Sequence, residues 1–207
     1  MIRIKSPLRF VGAFISIFAL FTANGCMFSQ MKAGSNRPVE AGMEIIVHSA
    51  VERHMMATMG LFQFDSPPET ATISANVAEA YQAHLVQKRP FREVRKMAQL
   101  VKSDSEALWH GRNAGCDLVM VPAITYAMDG SGAMPTRLTI RSRILDARTG
   151  MVLWDIRQNA FSEPGADIDL FWNTVSGQPA QRLPELVDAL ARQFSDFLIQ
   201  PLEKKAN

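Results

Sequence analysis

The sequence predicts an α+β domain, a mixed sheet of order β-α-β-α-β-β-β-α with helices packed on it. Three stretches carry that prediction. Leu118–Met128, LVMVPAITYAM, is a near-continuous apolar run of the kind that buried strands show. Residues 138–144 and 151–161 alternate in polarity around 146–150, which reads as a hairpin turn with Gly150 suited to positive φ. Residues 72–88 and 183–198 place apolar side chains at helical spacing. Of the 207 residues, 47% are hydrophobic and 20% charged, a balance that favours a packed core over disorder. The length fits one domain with extensions.

Residues 1–25 have the form of an export signal. Arg3, Lys5 and Arg9 stand ahead of an apolar run at 10–21, broken only by Gly12 and Ser16. That run is 12 residues long, short of the roughly 20 that a membrane-spanning helix needs. A retained N-terminal anchor is the competing reading. Without the leader the chain holds 19 basic against 20 acidic residues, so its net charge gives no reason to expect nucleic-acid binding.

Ala23-Asn24-Gly25-Cys26 resembles a bacterial lipobox. The resemblance implies that Cys26 is thioether-linked to diacylglycerol and becomes an acylated N-terminus. Asn24 departs from the usual Ala or Ser, so ordinary cleavage after Gly25 stays open. Buried acyl methylenes contribute about 0.8 kcal/mol each, which would make the anchor effectively permanent. Met27 stands where an Asp would imply inner-membrane retention, so the analogy implies the outer membrane, with the domain facing the periplasm. The expected layout is a signal peptide at 1–25, a lipidated tether at 26–43, one α/β domain at 44–201 and a polar tail at 202–207.

The tether carries Gly, Ser, Asn and Pro without periodicity. Residues 44–49 form a short β-prone run, an edge strand or an ordered lead-in. Residues 53–64, RHMMATMGLFQF, read as the first main strand, apolar on both faces and stopped by Asp65-Ser66-Pro67-Pro68. In the helix at 72–88, Ile73, Val77, Ala80, Tyr81, His84 and Leu85 share a stripe, and Arg89-Pro90 ends it. Residues 91–97 alternate imperfectly and read as a strand. A second helix spans 104–114, with Ser103 or Asp104 as N-cap, Glu106 in the capping-box position and Gly115 as the stop.

Pro122 interrupts the long apolar strand and predicts a bulge or one-sided pairing. On the next strand Leu138, Ile140, Ser142 and Ile144 oppose Thr139, Arg141 and Arg143. On the return strand Val152, Trp154 and Ile156 oppose Leu153, Asp155 and Arg157. Residues 162–179 read as a loop. The closing helix carries Leu183, Leu186, Val187, Leu190, Phe194, Phe197 and Leu198 on one stripe, with Pro184 in its first turn.

The sequence holds no Gly-x-Ser-x-Gly, P-loop, dinucleotide or His-Glu-x-x-His pattern. No catalytic residue, metal or cofactor is expected. His48, His54, His84 and His110 lack metal-ligand spacing. Asp167 and Asp169 form a loop pair that reads more simply as solvated than as a cation site. Arg141, Arg143, Arg148 and Arg157 with Asp146 and Asp155 read as a cross-strand charge ladder. Cys116 reads as a small buried core residue. Phe171 and Trp172 are the candidate surface residues: they either pack on the core or form a partner or membrane contact.

Three segments carry a wider resemblance. Residues 59–64, MGLFQF, are similar to the first strand of a group of envelope lipoproteins. Residues 114–121, AGCDLVMV, resemble their Gly-Ala-Asp-x-Val-Leu-Val segment. Residues 145–154, LDARTGMVLW, resemble their Leu-Asp-x-x-Thr-Gly-x-x-Leu-Trp hairpin. That group includes the TolB amino-terminal domain, the curli secretion lipoprotein, the Pel-polysaccharide export lipoprotein and penicillin-binding-protein activators. Gln63 stands for their common Pro and Cys116 for their common Ala. The resemblance covers roughly residues 55–200. It implies a non-catalytic assembly, export or activator factor with protein partners or a homo-oligomeric state, held on the membrane through Cys26. The rival expectation is an envelope enzyme or small-ligand binder that uses the 162–179 loop.

Overall fold

The computed structural model describes residues 39–200, apart from 131, 172 and 176. The strands are β1 (Glu40–Val47), β2 (Thr58–Leu61), β3 (Glu93–Lys96), β4 (Leu118–Met128), β5 (Thr136–Asp146), β6 (Val152–Ser162), β7 (Ile168–Leu170) and β8 (Asn173–Val175). The helices are α1 (Ala71–Lys88), α2 (Asp104–Asn113) and α3 (Leu183–Ile199). β1 to β6 form one mixed sheet in the order β1-β6-β5-β4-β2-β3, and β7 and β8 form a separate hairpin. The successive pairs β1–β6, β6–β5 and β5–β4 are antiparallel, whereas β2 lies parallel to both β4 and β3. The fold is α+β, as the sequence predicts.

Strand alternation divides the apolar side chains between two faces. Leu118, Met120, Leu138, Ile140, Ile144, Trp154 and Ile156 face α1 and α3 in the main core. Val119, Val121 and Leu145 face the other way and pack with Ala107 of α2, Phe62, Met97 and Cys116. Gly111 lets α2 lie close to the sheet: a Cβ there would fall 2.2 Å from Val119 Cγ1. Ser103 caps α2 by accepting the Glu106 N–H at 3.2 Å. The Glu106 carboxylate reaches back to the Lys102 N–H rather than to that of Ser103.

Five expectations need correction. The strand expected at 53–64 starts only at Thr58, because Asp117 takes the Thr58 N–H on its carboxylate and donates its own N–H to Thr58 O. Residues 48–57 instead form the connection from β1, at one margin of the sheet, to β2 near the other, with Val51 reaching the main core. β1 begins at Glu40, earlier than expected, and β3 spans only Glu93–Lys96. Val152 and Trp154 do not share a face. A bulge sets Leu145 opposite Val152 and Ile144 opposite Trp154, so Leu153 is an extra residue and the alternation reverses across it. Finally, the expected loop at 162–179 contains the β7–β8 hairpin.

Pro122 stands in neither a bulge nor a one-sided pairing: β5 flanks it on one side, and a single bridge between Asp65 and Ala123 flanks it on the other. It lies opposite Ser142 of β5, and its carbonyl accepts the Asp65 N–H at 3.1 Å. β2 has ended at Leu61, so the missing proline donor meets only the irregular segment that follows. The bulge of β4 lies further on, between Ile124 and Tyr126.

Candidate functional site

Cys26 and Trp172, two of the three residues singled out in the sequence, lie outside the described residues. Phe171 lies within them and does not pack on the core: it is 105% exposed. The β7–β8 hairpin explains that exposure. Leu170 pairs with Asn173, which leaves Phe171 in the turn that joins the two strands. The base of the hairpin is held by the Gly165 N–H on Gln178 O at 2.7 Å and by the Gly177 N–H on Asp167 Oδ1 at 2.6 Å. A Cβ on Gly177 would come within 2.0 Å of Gly165 O, so only glycine permits this crossing. Asp167 therefore acts as a staple of the loop.

Strand register gathers several features at one end of the sheet. Glu40 at the start of β1 pairs with Phe161 near the end of β6. Phe161 pairs with Arg137 near the start of β5, which in turn pairs with Met128 at the end of β4. The β4–β5 connection and the root of the β7–β8 excursion therefore lie where the described chain enters. The Ala180 N–H donates to Gly132 O at 2.9 Å and ties these two loops together. Met134, 59% exposed, lies in the first of them. An open trough of about 470 Å³ runs between the loops, and Asp167 is the one ionisable side chain among its described lining residues. The opposite end carries the Asp146–Gly150 turn and the exposed Met55, Met56 and Met151.

The expected charge ladder forms in part. Arg141 grips Asp155 with two bonds, Nε to Oδ1 at 2.9 Å and a terminal nitrogen to Oδ2 at 2.6 Å. Arg143 reaches across to Asp104 of α2 at 2.6 Å, and Arg157 pairs with Glu44 of β1 at 3.1 Å. The Arg141 hydrogen bond holds the Asp155 carboxyl below its ordinary range. Asp146 takes no part in the ladder. Its Oδ1 accepts the Arg148 and Thr149 N–H groups and the Thr149 hydroxyl, and the Thr149 N–H is the main reason its pKa is lowered. Its position in a tight turn, with local donors at hand, settles that choice.

The four histidines stay apart, each with its own neighbour. His48 meets the Phe197 ring, His54 meets Trp154, His110 lies against Trp109 and Phe62, and His84 bonds Asp188 at 2.8 Å. Among the described residues, no group of three or more His, Cys, Asp or Glu is placed to hold a metal ion. Cys116 is buried, and burial pushes its thiol pKa up. A Cβ on Gly60 would approach its Sγ to 3.1 Å, so the site accepts a small side chain and little more.

Two polar devices were not foreseen. Tyr81, Gln158 and Gln193 form a hydrogen-bonded chain between α1, β6 and α3, buried at Tyr81 and Gln158. The signal for it was present: Gln158 occupies an inward position in the series Trp154, Ile156, Gln158, Ala160. The second is a clasp between α1 and α3, where Asp188 bridges His84 and Arg192 while Lys88 pairs with Asp196. No sequence pattern reports a contact between helices so far apart in the chain.

These features define an α+β domain with helices on both faces of a mixed sheet and loop-borne apolar side chains at the end where its chain enters. No protein-family profile matches the chain, and no curated protein matches it. Solved structures do. The chain is similar to the PelC dodecamer from Paraburkholderia phytofirmans, with a TM-score of 0.57 and 13% identity over 77% of this chain and 97% of that one. It is similar to a leucine-to-methionine variant of the same dodecamer with a TM-score of 0.56 and 12% identity, over 77% and 98% of the two chains. At these identities the shared property is the fold.

Proposed function

We propose that this protein is a lipid-anchored envelope component that works without catalysis, as a homo-oligomeric assembly or export factor. The observation that carries the proposal is the match of nearly the whole PelC subunit to this domain, since that subunit is one of a dodecamer. The lipobox-like Ala23-Asn24-Gly25-Cys26 supports anchoring through Cys26, with the domain on the periplasmic side of the outer membrane. Permanent acylation would confine the subunits to a surface and raise their effective concentration for assembly. Two measurements test the reading. Cys26→Ala is expected to abolish acyl labelling and release the protein from the membrane fraction. Retention on the membrane without label would sink the anchor. Mass in mild detergent is expected to exceed that of one subunit severalfold, and a strictly monomeric protein would overturn the oligomeric part.

A further inference from the structure

We propose that residues 48–57 are an acid-released strap, closed over one end of the main core while the His54 imidazole is neutral and lifted from it when that ring is protonated. The segment leaves β1 at one margin of the sheet and passes β6, β5 and β4 to reach β2. Each backbone hydrogen bond described for it closes within the segment. The Arg53 N–H donates to Ala50 O, the His54 N–H to Val51 O and the Ala57 N–H to His54 O, at 3.3, 2.8 and 2.9 Å. Among the described residues, side chains alone therefore fasten it to the domain. His48 meets Phe197 of α3 with ring centroids 5.0 Å apart, and Val51 enters the main core. The His54 ring stands 5.3 Å from the fully buried Trp154 ring at 72° to it. A segment without ladder bonds to its neighbours belongs to the low-stability end of a fold.

Protonation acts on one of these fasteners. Burial holds the His54 pKa below its ordinary value and outweighs Asp146, whose carboxylate favours the charged ring, while Arg53 adds to the opposition. The other charged groups nearby are engaged elsewhere. Asp155, next to Trp154, is gripped by Arg141, and Arg92 and Glu93 meet at the Thr58 hydroxyl. Once lifted, the imidazole is in water and titrates near its ordinary value of about 6.5. The open strap therefore binds the proton more readily than the closed one. Closure is at full strength above about pH 6.5 and weakens as pH falls below it. The lowered carboxyls Asp146, Asp155 and Asp188 still contribute in full in that range, so the strap opens while the rest of the domain stands. The device needs neither the anchor nor the assembly.

Hydrogen exchange of the full chain in mild detergent, corrected for the pH dependence of intrinsic amide exchange, tests the proposal. Peptides spanning 48–57 are expected to open about three- to tenfold more at about pH 5.5 than at about pH 7.5, while peptides of β5 and β6 keep their protection. His54→Phe keeps an aromatic ring without a titrating group and is expected to hold the strap closed at both pH values. The smaller His54→Gln is expected to open it more at both, without the pH dependence. Equal opening of the parent at the two pH values would overturn the proposal, as would a pH dependence that survives in both variants. Reduced opening in acid would also overturn it, because Trp154 or Asp146 would then hold the charged ring more tightly than the neutral one. Equal loosening of β5 and β6 would assign the effect to the whole fold and remove the strap.

Discussion

The Tyr81 hydroxyl donates to Gln158 Oε1 at 2.7 Å inside the main core, and both residues are fully buried. The same amide passes its hydrogens on to Leu190 O at 2.9 Å and Gln193 Oε1 at 3.0 Å. One glutamine thus links both covering helices to the sheet. Burial pushes the Tyr81 pKa upward, so the hydroxyl stays a neutral donor across the physiological range.

Tyr81→Phe keeps the ring contacts with Phe64 and Phe194 and removes only the donor. The Gln158 carbonyl would then be buried without that bond, at a cost of about 1–3 kcal/mol. Urea denaturation is expected to show a lower midpoint with an unchanged slope. Gln158→Leu should cost more, because it deserts Tyr81, Gln193 and the Leu190 carbonyl together. A Tyr81→Phe protein as stable as the parent would show that the bond contributes nothing net.

Gly111→Ala sets two effects against each other. Helix propensity favours alanine by about 1 kcal/mol. The new Cβ, however, would lie 2.2 Å from Cγ1 of the fully buried Val119, a branched side chain with little freedom to move. Overpacking of this kind costs about 1–3 kcal/mol, so the variant is expected to be net destabilised. Val119→Ala in the same chain should recover part of the loss introduced at Gly111. Thermal unfolding of the single and double variants decides the sign.

Arg141 and Asp155 predict an acid-sensitive contribution. The Asp155 carboxyl is held below its unfolded value, chiefly by the Arg141 hydrogen bond. Its stabilising share is therefore complete above about pH 4, the unfolded range, and is lost as pH falls through the lower folded value. Asp146 and Asp188 are lowered too, so the whole protein should weaken in that window. Arg141→Met leaves Asp155 nearly buried without this partner and is expected to cost about 1–3 kcal/mol at neutral pH. It should also flatten the dependence of stability on pH below about 4. An unchanged pH profile in the variant would assign the acid sensitivity to the other carboxyls.

The regular parts of this fold were legible in the sequence because their periodicity is local. The stripe of α3, the alternation of β5 and the run of β4 each report burial within one element. What escaped was set elsewhere in the chain. The start of β2 depends on Asp117, which lies 59 positions away. The reversal across Leu153 depends on one inserted residue, which no polarity pattern distinguishes from a partner strand covered on both sides. The spacing of charges groups Asp146 with its arginine neighbours, although its nearest donors are the turn amides that follow it. Of the candidate site, the aromatic pair was visible, but the turn that exposes Phe171 was not. Three-residue strands like β7 and β8 are too short to show alternation, and Met134 looks ordinary until strand register places its loop.

The two margins of the main sheet are chemically unlike. β3 presents Glu93, Arg95 and Lys96, whereas β1 shows Ile45 and Ile46 nearly half exposed, with Gln193 reaching its Ala41 carbonyl. Charge discourages strand addition at the first margin and leaves it open at the second. Like-to-like pairing through β1 has two-fold symmetry and closes at two subunits. A closed circle of many copies needs a contact whose two halves differ, and therefore a surface other than this strand. If the protein assembles beyond a dimer, β1 cannot be the sole joint.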